Sequence, residues 1–226
     1  MSQTFTFPTM MMEQQPCTYR LHILFGTFIG LLIGMNLLGN KVTTLFGISV
    51  SVGIFMVPLT FLITDIVEEV YGTEVVKHFI ITGIISITLI FLFTGFFIWL
   101  PPNERFTYNE EYKLVFGSSM RIMVASIIAF ALAQFHDIWA FAYWKKKTNG
   151  KFLWLRNNLS TWVSQAIDTM VFMMIAFYHI TDKFTFEFIL QLSIPYYLFK
   201  LAFAILDTPF VYLGVAWLRA GKKTEI

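Results

Sequence analysis

Along this chain long apolar runs alternate with short polar breaks, and the runs have membrane length. A hydrocarbon core about 30 Å thick takes roughly 20 residues of helix at about 1.5 Å per residue. Six segments meet that length, at about 21–40, 50–70, 78–100, 118–143, 158–180 and 189–218. The pattern predicts an all-α fold, a polytopic membrane protein of six transmembrane helices. The last run is long enough to tilt, or to kink at Pro209. Between the third and fourth runs lies "PPNERFTYNEEYKLVFGSS", the one long connection, where a short surface helix can follow the two prolines.

Composition agrees. Of 226 residues 57% are hydrophobic and only 13% charged, with a mean hydropathy of +0.67, against about 25% charged for a soluble domain. The net charge of +2 indicates neither a nucleic-acid surface nor an acidic tail, so no nucleic-acid partner is expected. The single cysteine, Cys17, excludes an intrachain disulfide and gives no metal-ligand pattern. Residues 1–20 read as a short cytoplasmic tail, 21–218 as the six-helix domain and 219–226 as a basic cytoplasmic tail. The first run lacks a convincing cleavage site, which argues for a retained helix.

With six spans, both termini and the 2–3 and 4–5 loops share one side. That side carries Arg20, Lys77, Lys145, Lys146, Lys147, Lys151, Arg156, Arg219, Lys222 and Lys223, against Lys41, Arg105, Lys113 and Lys183 opposite. The positive-inside rule therefore places both termini in the cytoplasm, and "YWKKKTNGKFLWLR" reads as a topology determinant with aromatic anchors. The sequon Asn158-Leu159-Ser160 then faces the cytoplasm and should carry no glycan. No GxxxxGK[ST], HExxH or GxSxG occurs, so any ATPase must be another chain.

Ionisable residues inside a span cost about 2.5–3.5 kcal/mol each on insertion scales and are functional candidates by default. Here they are Asp65, Arg121, His136, Asp137, Asp168, Lys200 and Asp207. If Arg121 and Lys200 each pair with an acid, two acids remain to be protonated, hydrated or met by a donor-rich ligand. The fourth and fifth runs repeat one motif, Gln-x-x-Asp with an aromatic four residues on: Gln134, Asp137, Phe141 and Gln165, Asp168, Phe172. Positions i and i+3 share a helix face, so two such faces can line one cavity, or can glue two helices by hydrogen bonds. In the second run Pro58 precedes Thr60, Thr64 and Asp65, an interruption of the kind found beside transporter sites or a packing kink. Glu68 and Glu69 read as interfacial. Lys200 and Asp207 share a stripe, and His136 reads as a packed histidine. Gly26, Gly30 and Gly34 form a small-xxx-small stripe, expected to pack within the chain or to dock a partner subunit. Asn36 and Asn40 read as caps or cavity groups.

"VPLTFLITDIVEEVYG", "ALAQFHD", "LWLRNNLSTWVSQAIDTMVFMMIAF" and "YYLFKL" together resemble the queuosine precursor transporter family, also called vitamin uptake transporters, from about residue 20 to residue 215. The resemblance implies a six-helix bacterial inner-membrane importer of 7-deazaguanine precursors of a modified tRNA base, the 7-cyano and 7-aminomethyl compounds. It marks Asp65, Arg121, Gln134, Asp137, Asp168 and Lys200 as family positions, and Gln165 and Asn36 complete the expected substrate site. A guanine-like edge offers adjacent N–H donors to a carboxylate and a carbonyl to an amide or lysine. Phe61, Phe135, Trp139, Phe172 and Tyr197 are candidates for stacking on its flat rings.

Two other readings compete. One is the substrate-binding subunit of an energy-coupling-factor vitamin importer, docked to an ATPase complex through the glycine stripe. The other, an intramembrane acid–base enzyme, lacks any nucleophile or metal constellation. The expected partners are a small 7-deazapurine and membrane lipid, with a homodimer through the glycine stripe open; no cofactor or metal is expected, and no enzymatic activity.

Overall fold

The computed structural model describes residues 15–39, 41–45, 48–117, 120–179, 182 and 185–222. Asn40, Lys183 and Lys223, and the side chains of Cys17 and Lys222, lie outside the described residues. Helix α1 (Gln15–Leu38) leads into an antiparallel hairpin of β1 (Val42–Leu45) and β2 (Ile48–Ser51). A 3₁₀ turn, Val52–Phe55, precedes α2 (Val57–Tyr71), and α3 (Thr73–Trp99), α4 (Asn109–Gly117), α5 (Met120–Lys147), α6 (Leu153–Phe177) and α7 (Phe186–Lys222) follow. Five helical stretches are long and apolar enough to cross a membrane, in α1, α3, α4 with α5, α6 and α7. The chain is a multi-pass membrane protein of predominantly α structure.

The second apolar run departs from expectation. Its first residues form β2 and the 3₁₀ turn, leaving α2 with 15 residues, or about 22 Å of helix. Non-helical backbone at membrane depth is tolerated only where protein satisfies it. The hairpin pairs Val42 with Ser51 and Leu45 with Ile48, the Val52 N–H donates to the Lys41 carbonyl at 3.0 Å, and the Ser51 hydroxyl donates to the Gly39 carbonyl. Pro58 lies in the first turn of α2, where its missing N–H has no intrahelical partner to lose, so it starts the helix and does not interrupt it. The surface helix expected after Pro101 and Pro102 is α4, and α7 runs through both Pro195 and Pro209.

Close helix approaches occur where the glycine stripe did not indicate. Among the described residues a side chain at Gly26 or Gly30 would meet nothing within 4 Å, whereas one at Gly34 would lie 3.3 Å from Met56 Sδ, so the stripe packs within the chain at its Gly34 end. The tight glycines are Gly83, where a Cβ would lie 3.1 Å from Phe28 of α1, and Gly214, where one would lie 2.9 Å from Ile66 Cγ1 of α2. The most extensive helix pair is α5 with α6, and buried Ala125, Ala129 and Ala133 at four-residue spacing keep α5 slim. One apolar cluster joins α1, α2, α3 and α5 around Phe28, Leu32, Val67, Phe79 and Ile80. A second, of Val50, Ile54, Met173, Ile189 and Tyr196, seats the hairpin and 3₁₀ turn against α6 and α7.

Helix ends opposite the hairpin carry the basic residues. Glu69, near the end of α2, accepts from Arg156 at 2.9 Å and Arg219 at 2.8 Å and pairs with Lys145 at 3.1 Å. Glu68 is buried and accepts from the Thr73 hydroxyl at 3.1 Å. Arg156, expected as a loop charge, is buried beside the Phe141 ring. The sequon residue Asn158 is buried as well, donating to the Trp154 carbonyl at 2.8 Å and to the Thr208 hydroxyl at 2.9 Å.

Candidate functional site

Where the chain leaves α1, turns through the hairpin and re-enters as α2, it leaves a cavity of about 70 Å³ against α5, α6 and α7. The wall from α1 and the hairpin is Met35, Asn36, Gly39, Ser51 and Gly53; α2 adds Val57, Thr60 and Phe61. Helix α5 contributes Ile122, Ser126 and Phe130, α6 contributes Asp168 and Phe172, and α7 contributes Tyr196 and Lys200. The interrupted second run thus positions the site, as broken helices do in other transport proteins. Gly53 is small of necessity, because a Cβ there would lie 3.1 Å from the Met35 carbonyl oxygen and 3.3 Å from the Gly39 Cα.

The polar centre of the cavity is one ion pair. Lys200 Nζ donates to Asp168 Oδ2 at 2.5 Å and lies 5.7 Å from the centre of the Tyr196 ring. Both side chains are nearly removed from solvent, at 4% and 13% exposure, so each charge depends on the other for stabilisation. Together they present an acceptor and a cationic donor side by side. Asn36 donates to the Leu32 carbonyl at 2.9 Å, Thr60 to the Val57 carbonyl at 2.7 Å, and Ser51 accepts from the Gly53 N–H at 3.1 Å. Phe61, Phe130, Phe172 and Tyr196 supply flat apolar surface around this centre.

Of the expected site residues, Asn36, Asp168 and Lys200 line the cavity. Asp65, Gln134, Asp137 and Gln165 form a separate buried layer further along α2, α5 and α6. The repeated Gln-x-x-Asp motif therefore splits, its α6 carboxylate at the cavity and its α5 carboxylate beside Asp65. Phe172 follows the cavity, whereas Phe141 packs on Arg156. Arg121 does not join either group. Exposed at the start of α5, it donates to the Ile175 and Tyr178 carbonyls, each at 2.7 Å, and caps the C-terminus of α6. With Arg121 so used, the acids outnumber the bases by more than sequence pairing allowed.

Sequence reasoning missed Tyr196, Phe130, Ser126 and Ser51. Tyr197 is the stacking candidate by sequence, but its hydroxyl donates to the Trp162 carbonyl at 3.2 Å, and a one-residue step turns a helix by about 100°. Phe135 and Trp139 are 44% and 64% exposed and face outward. Among the described residues no group of three or more His, Cys, Asp or Glu is placed to hold a metal.

Comparison with known proteins matches residues 51–214 to the family described as putative vitamin uptake transporter. The chain is 29% identical over 179 residues to the probable queuosine precursor transporter of Bacillus subtilis (strain 168), covering 78% of this chain and 76% of that one. It is 26% identical over 194 residues to the queuosine precursor transporter of Escherichia coli (strain K12), covering 84% and 85%. No solved structure matches.

Proposed function

We propose, for a chain that belongs to the putative vitamin uptake transporter family, that it imports 7-deazaguanine precursors of queuosine, the 7-cyano and 7-aminomethyl bases, across a bacterial inner membrane. Family membership makes the protein a transporter and not an enzyme. The observation that carries the substrate reading is the Asp168–Lys200 pair on the wall of an aromatic cavity. A guanine-type edge has a carbonyl beside two N–H donors. Lys200 has two donors beyond the one given to Asp168, enough to reach the carbonyl, and Asp168 has lone pairs for the N–H groups. Phe61, Phe130, Phe172 and Tyr196 offer faces for the bicycle, with stacking of order 1–3 kcal/mol. The names of the two relatives support the same class of substrate. Both termini and the basic helix ends lie in the cytoplasm in this reading, and the cavity lies nearer the outer face.

The test is binding of 7-cyano-7-deazaguanine, 7-aminomethyl-7-deazaguanine and guanine to the purified protein, wild type and Asp168→Asn. Asn keeps the shape but places a donor against donors, at a cost of about 1–3 kcal/mol, or roughly a tenfold to hundredfold loss of affinity. A folded, monodisperse wild type that binds none of the three would sink the assignment.

The open face at Gly26 and Gly30 favours one second reading, docking of an ATPase-bearing complex on α1. Co-purification of ATPase subunits at fixed stoichiometry would establish it.

A further inference from the structure

Beyond the cavity, the same helices carry a second polar centre. Asp65 of α2 stands four residues past Phe61, and Thr161 of α6 stands seven before Asp168, offsets of about 6 and 10 Å along the helices. At this level Asp65 and Asp137 of α5 are 2% and 1% exposed, two acids buried in one layer of the bundle. An acid so buried is costly to leave charged where nothing of opposite charge meets it, and a bound proton removes that cost. Like charges gathered in a desolvated site raise each other's cost further, the logic of paired carboxyls in other proteins.

The surroundings reinforce that reading. From α6, the Thr161 hydroxyl lies 3.5 Å from Asp65 Oδ2, while the Ser160 and Ser164 hydroxyls donate to the Asn157 and Ser160 carbonyls of their own helix. The charged neighbours that act on the pair are Glu68 of α2 and Asp207 of α7, both acids. Three bases of the same helices are committed elsewhere: Lys145 and Arg156 to Glu69, and Lys200 to Asp168. His136 of α5 is held by the Ser164 hydroxyl at 2.9 Å. Helices α1 and α3 bring the apolar cluster of Phe28, Leu32, Phe79 and Ile80. Oδ1 of both acids and both amide atoms of Gln134, one turn along α5, are buried without a hydrogen-bond partner among the described residues. Gln134 itself is fully buried, so its unpartnered amide is a costly feature of this interior.

We propose that Asp65 and Asp137 form a proton-binding site, separate from the cavity, whose loading and release are coupled to substrate passage. The proposal rests on the transporter reading for its coupling half alone. A carboxyl O–H of the pair gives its proton to water on one side of the membrane and is reloaded from hydronium on the other. Because α2 and α6 each carry both centres, any shift of α2 that a ligand imposes at Thr60 and Phe61 moves Asp65 against Asp137. Occupancy of the cavity and protonation of the pair are then linked.

Two measurements on the full-length protein separate the halves. Infrared spectra of the ligand-free protein should show a protonated-carboxyl C=O component at neutral pH that shifts in heavy water and is lost as the pH is raised. The Asp65→Asn/Asp137→Asn variant should lack that component. No such component in the wild type, or one unchanged in the variant, overturns the proton site whatever the substrate. In proteoliposomes, an inward proton gradient should concentrate 7-cyano-7-deazaguanine several-fold, with collapse by a protonophore, and the double variant should lose the response to pH. Uptake indifferent to the gradient in the wild type overturns the coupling. If the variant fails to fold, the wild-type titration and the protonophore result still decide. A wild type that carries the protonated component but neither binds nor moves the base leaves the proton site standing and fails the substrate assignment instead.

Discussion

Arg156 is 1% exposed, lies 5.3 Å from the centre of the Phe141 ring and reaches Glu69 at 2.9 Å. Arg219 contacts the same carboxylate at 2.8 Å but is 56% exposed. Equal contacts therefore carry unequal stability. Arg156→Ala removes a buried partner and leaves a hole, an expected cost of about 3–5 kcal/mol, whereas Arg219→Ala should cost under about 1 kcal/mol in a solvated pair. Thermal unfolding in detergent checks both, and equal effects would refute this ranking. Asp168, Lys200, Asp65 and Asp137 stand out in the sequence because an ionisable residue inside an apolar run is costly without a reason. Their grouping does not stand out. Asp137 and Asp168 sit in look-alike motifs, yet one meets Asp65 and the other Lys200. Which acid meets which base depends on helix rotation, and Arg121 shows the hazard, since carbonyls at the end of α6 claim it.

At the scale of elements, small residues decide how closely helices approach. At Gly214 an added methyl would meet Ile66 at Cγ1 and Cγ2, at 2.9 and 3.4 Å, and that β-branched side chain is buried and stiff. Gly214→Ala should force α7 from α2 and destabilise by about 1–3 kcal/mol. Gly30→Ala meets open space and should be neutral or stabilising, since alanine favours a helix by up to about 1 kcal/mol over glycine. Unfolding midpoints of the two variants decide the matter, and a destabilised Gly30→Ala would show that a partner covers that face of α1. Hydropathy found the membrane-length helices well, because five of them present apolar surface over most of their length. It misread residues 50–56, where "VSVGIFM" is as apolar as a span but β-branched, and Gly53 admits the close backbone contacts that a hairpin and 3₁₀ turn require.

For the whole molecule, helix directions put α1's start, α2's end and the Lys145–Lys147 cluster at one end, tied by Arg20 donating to the Trp217 carbonyl. The hairpin and α4 lie at the other end. Single cysteines in place of Lys146 and Glu111, with Cys17 replaced, should react with a membrane-impermeant maleimide from opposite sides. Labelling of Lys146→Cys in intact cells would reverse the orientation. Length, hydropathy and the scarcity of charge determined by themselves that this chain lives in a membrane as a helical bundle, because lipid penalises every exposed polar group in the same way along the chain. Residue identity also flagged the ionisable groups that the interior has to hold, since their cost is local. The split of those residues into an aromatic cavity around Asp168 and Lys200 and a separate layer around Asp65 and Asp137 came only from the tertiary structure. The physical reason is that an ion pair such as Lys200 with Asp168 forms only between atoms a few ångströms apart, and that distance is set by the packing of α2, α5, α6 and α7 against one another.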